Sequence, residues 1–278
     1  MNNDLIIAKN DILFKKMKFI GDKFWELDVF DREVDKTFFE NNNDLNIIGN
    51  EILNDFNIKK LNYFLDVCSA PGIYAKIFLD NFDKLIGYGI SLPVEEGGVP
   101  FIINNNRFHI IYKNILDKDF NLLLDHKLDL GIASCVSYTY DAKTAYLLNI
   151  KLIIKSLTMI FNNLNKNGNI IINLTMKNID LAFNIINILN TLFKKFKLWK
   201  SKTIWSTKKT FYYFGYNFNN NYKENIFENL LERIKYDNDP INNQFLGSNH
   251  NYLKIYNQMK NIYNIKINAW NKLINIKN

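Results

Sequence analysis

The stretch from residue 64 to residue 82 fixes the kind of fold this chain adopts. An apolar strand carrying one acid is expected at 63–67, Cys68-Ser69-Ala70-Pro71-Gly72 reads as a tight turn of small residues, and 73–82 as a helix. That succession is the unit of an open α/β sheet whose strand ends face a ligand. Small residues let backbone N–H groups come close to a bound group, and the helix N-terminus adds a favourable field for negative charge. The same alternation continues downstream, with strands expected at 85–90, 108–112, 128–133 and 169–175 and helices at 144–164 and 179–196. Two last strands, 198–204 and 210–216, are joined by a short polar turn with no helix between them. Parallel neighbours need a long crossover, so this pair is antiparallel. The expected class is α/β, a Rossmann-like and mostly parallel sheet with an antiparallel last strand.

The flanks read differently. Leu5, Ile6, Ile12, Leu13, Met17 and Ile20 form a helical stripe that Gly21 is expected to end, and helices are expected at 24–40 and 45–56. An amphipathic helix is expected at 226–235. After a loop containing Asp237-Asn238-Asp239-Pro240 and Gly247, a longer helix is expected at 252–274. The resulting division is 1–54 as an N-terminal helical region, 55–217 as the α/β domain and 218–278 as a helical extension. The charged segment 1–18 does not read as a signal peptide. The longest apolar helical stretch, 145–161, carries Lys151 and Lys155, which argues against a membrane span. Two cysteines, Cys68 and Cys135, are too few for a disulfide-built secreted domain and point to a reducing, cytoplasm-like compartment. Both fall at the ligand-facing ends of neighbouring strands and read as small buried apolar residues. His109, His126 and His250 are scattered, with no zinc spacing.

Asp66-x-Cys68-Ser69-Ala70-Pro71-Gly72 lacks the dinucleotide pattern Gly-x-Gly-x-x-Gly. It resembles the S-adenosylmethionine loop of FtsJ-like ribose 2′-O-methyltransferases, whose class I fold has a parallel sheet ending in an antiparallel hairpin. The resemblance implies S-adenosyl-L-methionine as cofactor, with residues 68–72 around its methionine end and Asp66 orienting the loop. Gly87-Tyr-Gly-Ile-Ser91-Leu-Pro-Val-Glu95-Glu96-Gly97-Gly98 follows the second strand and is similar to loops of viral and fungal FtsJ-like domains, so a virus-encoded protein is among the expectations. Ser91 stands where many methyltransferases bind the ribose through an acid, and Asn114 where the family contacts adenine.

The family's catalytic set is Lys-Asp-Lys-Glu, charges that promote deprotonation of the ribose 2′-hydroxyl. Carried over by strand register, the aspartate falls on Ser134, the second lysine on Asn173 and the glutamate on Thr210, all neutral. The first lysine would lie near residues 41–46, which contain none; Lys36 lies slightly earlier. Lys177 is the nearest substitute, yet four strand residues beyond Asn173 is ~13 Å away. Lys208 and Lys209 adjoin Thr210. The residues therefore leave open an RNA methyltransferase, cap-dependent or not, and a silent RNA-binding or scaffold subunit.

The net charge of +7 favours a polyanionic partner. No acid occurs between Asp180 and Glu224, a stretch that holds Lys194, Lys195, Lys197, Lys200, Lys202, Lys208 and Lys209 with Trp199 and Trp205 interleaved. Lysines hold phosphates and aromatic rings stack on bases, so RNA, capped mRNA included, is the expected partner. The terminal helices are candidates for docking a protein.

Overall fold

The computed structural model describes residues 12–26, 42–135, 142–176, 179–219 and 248–277. In chain order these form α1 (Ile12–Glu26), α2 (Asn42–Phe56), β1 (Tyr63–Val67), α3 (Ile73–Asn81), β2 (Ile86–Ser91), β3 (Phe108–Tyr112), β4 (Leu128–Ala133), α4 (Ala142–Asn163), β5 (Leu164–Thr175), α5 (Ile179–Leu192), β6 (Phe193–Trp199), β7 (Thr210–Phe218) and α6 (Asn249–Lys277). The sheet order is β3-β2-β1-β4-β5-β7-β6. β7 alone runs against its neighbours, pairing antiparallel with both β5 and β6. The mostly parallel α/β sheet with an antiparallel final hairpin is thus the architecture found.

Strand alternation sorts the core into two layers. Phe64, Ile132, Ile171 and Phe214 face α2 and α3, which contribute Ile48, Ile52, Phe56, Phe78 and Leu79. Leu65, Val67, Ile170 and Ile172 face the other way, onto α4, α5 and α6. β2 carries Gly87 and Gly89 on the first face because the Phe64 and Phe108 rings occupy the space their side chains would need.

Several expectations shift. Gly21 does not end α1. It lies within the helix, and a Cβ there would sit 2.7 Å from the Trp270 ring of α6, so the glycine sets the closeness of the α1–α6 contact. The helix before β6 stops at Leu192, and β6 begins five residues earlier than the apolar pattern suggested. The β6–β7 link is consequently a long segment, 200–209, and not a short turn. The expected elements at 27–40 and 226–235, the 237–247 loop, and Lys36 and Lys177 lie outside the described residues.

Arg107, just before β3, closes the C-terminal end of α3: its guanidinium donates to the carbonyls of Leu79, Phe82 and Leu85 at 2.7–3.1 Å. A cation there satisfies orphan carbonyls and complements the helix dipole. Replacing it by alanine leaves those acceptors to water. Arg107→Ala is expected to lower the unfolding free energy by about 2–3 kcal/mol, read as a fall in the urea midpoint at unchanged slope.

Candidate functional site

β1 lies between β2 and β4, so the chain leaves the sheet in opposite directions on either side of it and opens a crevice beyond the strand ends. The turn 68–72 forms the floor of this crevice. Gly72 stands at φ +94° and caps α3; a Cβ there would also press on Ile103 at 2.8 Å. The cavity measures about 570 Å³. Cys68, Ser69, Ala70 and Pro71 line it, as do Ser91 and Asn114. Of the two acids after β2, Glu96 reaches the wall, carried there by a 3-10 turn over Val94–Glu96. Leu92, Val99, Ile115 and Leu116 supply an apolar slot beside Asn114. The Asn114 carboxamide oxygen accepts from the Leu116 N–H at 3.0 Å, which leaves its amino group to face a ligand.

Asp66 does not line the cavity. It is buried beneath the turn, where Oδ2 accepts from the Ser69 hydroxyl at 2.7 Å while Oδ1 has no partner. Burial pushes its carboxyl up to about 7, against the opposing effect of the Ser69 bond. It braces the turn.

The two cysteines are joined. Cys68 and Cys135 form a disulfide that links the cofactor-side turn to the end of β4, which corrects their reading as separate apolar residues. Cys68 stands at φ +62°, a conformation that costs most residues roughly 1–2 kcal/mol.

A row of side chains crosses the sheet at the cavity's other end. Ser134 and Asn173 both line the wall. Asn173 pairs across the sheet with Tyr212, whereas Thr210 pairs with Thr175 two residues further out. Tyr212, not Thr210, therefore completes the row. Its hydroxyl meets that of Tyr74 from α3 at 2.9 Å. Burial drives Tyr212 up to about 12 and, aided by Tyr212 and Asp66, lifts Tyr74 well above the ordinary phenol value. Both stay protonated near neutral pH. This pair carries no periodic sequence signal; the cross-strand register alone reveals it.

The lysine-rich stretch divides. Lys200 is buried, and its Nζ donates to the carbonyls of Trp205, Lys208 and Thr210 at 2.7–2.9 Å. It serves the fold, not a phosphate. Lys194 and Lys195 are exposed at the start of β6, the sheet edge remote from the cavity, and Lys197 pairs with Asp55 at 3.0 Å. Lys202 and Lys209 are exposed on the 200–209 segment, with Lys208 partly covered beside them. That segment brings Trp205 to the cavity wall.

A mostly parallel seven-stranded sheet with a reversed strand next to its edge, and a crevice at the β1 switch point, defines a Rossmann-like methyltransferase fold. The chain belongs to the FtsJ-like methyltransferase family, whose model matches residues 50–218. Among solved structures, the chain is similar to a putative ribosomal RNA methyltransferase from Plasmodium falciparum, at 18% identity and a TM-score of 0.48, over 62% of this chain and 96% of that one. It is also similar to an N-methyltransferase from Bradyrhizobium japonicum, at 11% identity and a TM-score of 0.44, covering 64% and 98%. An O-methyltransferase family protein from Burkholderia thailandensis matches at 11% identity and a TM-score of 0.40, covering 64% and 58%. No curated protein matches the sequence. No helix among the described residues is long and apolar enough to cross a membrane.

Two measurements probe this site. Folded Asp66 keeps its proton to about pH 7, whereas the unfolded residue releases it near the ordinary aspartate value of 3.8. The folded state thus binds more protons across that interval, and stability falls as pH rises through it. Asp66→Asn, which has nothing to titrate there, is expected to gain on the wild type between pH 4 and pH 7, by an amount of the order of 4 kcal/mol, in paired denaturation curves. The disulfide closes a span of 67 residues. Its reduction is expected to lower the unfolding free energy by about 4 kcal/mol on the chain-entropy account, with two thiols appearing by mass spectrometry after alkylation.

Proposed function

We propose that this chain binds S-adenosylmethionine in the β1 crevice and presents RNA to it, as a methyltransferase directed at the ribose 2′-hydroxyl. The observation that carries the reading is the cavity, whose lining brings together apolar side chains, hydroxyl and amide groups and the turn that leads into a helix N-terminus. The residues fit the cofactor part by part. The adenine would lie between Leu92, Val99, Ile115 and Leu116, with the Asn114 amino group donating to a ring nitrogen. Ser91 and Glu96 would take the ribose hydroxyls, and the turn 68–72 with the start of α3 would receive the methionine carboxylate. When bound, the cofactor supplies an electrophilic methyl group.

The chain's own contribution at the acceptor end is orientation. The Ser134 hydroxyl and the Asn173 carboxamide are placed to hydrogen-bond an acceptor oxygen and hold it in line. Tyr74 and Tyr212, kept protonated by burial, are donors and not bases. Among the described lining residues at that end, none takes a proton from the hydroxyl near neutral pH.

This neutral row supports a second reading: a subunit that keeps the cofactor and RNA sites and no longer transfers the methyl group. Calorimetry with S-adenosylmethionine tests what both readings share, and Asn114→Ala is expected to weaken binding about tenfold or more. Methyl transfer to capped and uncapped RNA then separates them. Detectable transfer that Ser134→Asp or Asn173→Lys accelerates supports the enzyme; binding without transfer in the wild type supports the silent subunit. Failure to bind at millimolar cofactor overturns both.

A further inference from the structure

The segment between β6 and β7 is held more firmly than a surface connection needs, and it is held from both ends of the chain. Along α2, Asp44, Glu51 and Asp55 recur at the spacing of one helix face and all turn toward it. Asp55 accepts from the Trp199 indole at 2.6 Å, Glu51 from the Thr203 hydroxyl, and Asp44 from the Trp205 indole at 3.1 Å. From the other side, Lys266 of α6 is buried, and its Nζ donates to the Thr207 and Lys208 carbonyls, the latter at 2.8 Å. The same Nζ lies 4.0 Å over the Trp270 ring. Burial pulls the Lys266 amine down to about 6, helped by Lys200 and Lys209, yet carbonyls and an aromatic face are acceptors for its charged form.

At the centre of these contacts stands Trp205, at φ +55°, a backbone conformation that tryptophan rarely adopts. A strained residue fixed by a carboxylate, with its carbonyl bound by Lys200, is over-determined by its surroundings. Trp205 lines the cavity, as do Leu45 and Asn173. Exposed Lys202 and Lys209 flank it in the chain, while the α2 acids nearest to it, Asp44 and Glu51, are half-buried and bonded to the segment. A flat apolar ring on a concave wall, rimmed by lysines, is a platform for one base with its phosphates outside. A stacked base inside a duplex does not reach such a wall, whereas an unpaired one does.

We propose that Trp205 is the stacking platform for an unpaired acceptor nucleotide of RNA, and that Lys266 of the C-terminal helix is the positioning residue that keeps it in place. The inference rests on the reading of the crevice as a cofactor and RNA site, and it adds the substrate class, single-stranded over double-stranded, and a role for α6.

The test uses the full chain, a short single-stranded RNA and its matched duplex, with anisotropy for RNA affinity and calorimetry for S-adenosylmethionine. The wild type is expected to prefer the single strand. Trp205→Ala should weaken single-strand binding about tenfold or more, Trp205→Phe should restore part of it, and cofactor affinity should stay within about twofold. Lys266→Met should weaken the same binding while hydrogen exchange quickens at the amides of 203–209. In the double variant, the Lys266→Met loss should nearly vanish on the Trp205→Ala background, because the lysine acts through the ring. Fully additive losses overturn the positioning role, and a Trp205→Ala protein that binds like the wild type overturns the platform. A wild type with no RNA affinity overturns the RNA reading above and this inference with it. Retained affinity that ignores Trp205 overturns this inference alone.

Discussion

The pairing of β1 with β2 on one side and β4 on the other is the constraint from which the rest of the site follows. Because the connection from β1 turns one way and the sheet continues the other way through β4, no backbone fills the space beyond these strand ends. Everything with candidate chemistry is anchored to their rims: the 68–72 turn on β1, Ser91 on β2, Ser134 on β4, and Asn173 on β5. The buried brace between Asp66 and Ser69 sits directly under this opening and keeps the turn from collapsing into it. The price is a carboxyl taken out of water with one oxygen unpartnered.

Neutral groups, Ser134, Asn173 and Tyr74, line the far end of the crevice. A cluster of lysines and acids needs solvent or mutual pairing to remain charged, whereas Tyr212 is buried, Tyr74 half-buried, and their hydroxyls satisfy each other. The row is thereby continuous in packing with the α2–α3 layer, to which Tyr212 also belongs. The tyrosine pair is as much core as site.

The sequence announced the sheet and the crevice and was silent about the acceptor wall, for physical reasons. Apolar runs bounded by turns mark strands, so β1, β3 and β4 were read to the residue; Cys68–Gly72 declared a ligand-facing turn through small residues in order. Gly21 misled because a glycine that admits a neighbouring ring and a glycine that ends a helix look alike without the partner, here Trp270. The start of β6 was read as helix because Phe193-Lys-Lys-Phe196 fits either period. Lys200 was grouped with its exposed neighbours because composition carries no burial. The Cys68–Cys135 bond and the Tyr74–Tyr212 contact both depend on register between distant strands and helices, which local pattern does not encode.

The double anchoring of the Trp205 segment has a bearing on how the molecule divides. The family's shared portion ends at residue 218, but the amine that holds the 200–209 segment from the other side is supplied by residue 266. Cutting the chain at the family boundary would therefore remove part of the crevice's framework without touching any residue that lines it. In modular terms the C-terminal helix buttresses the unit that the chain has in common with its relatives.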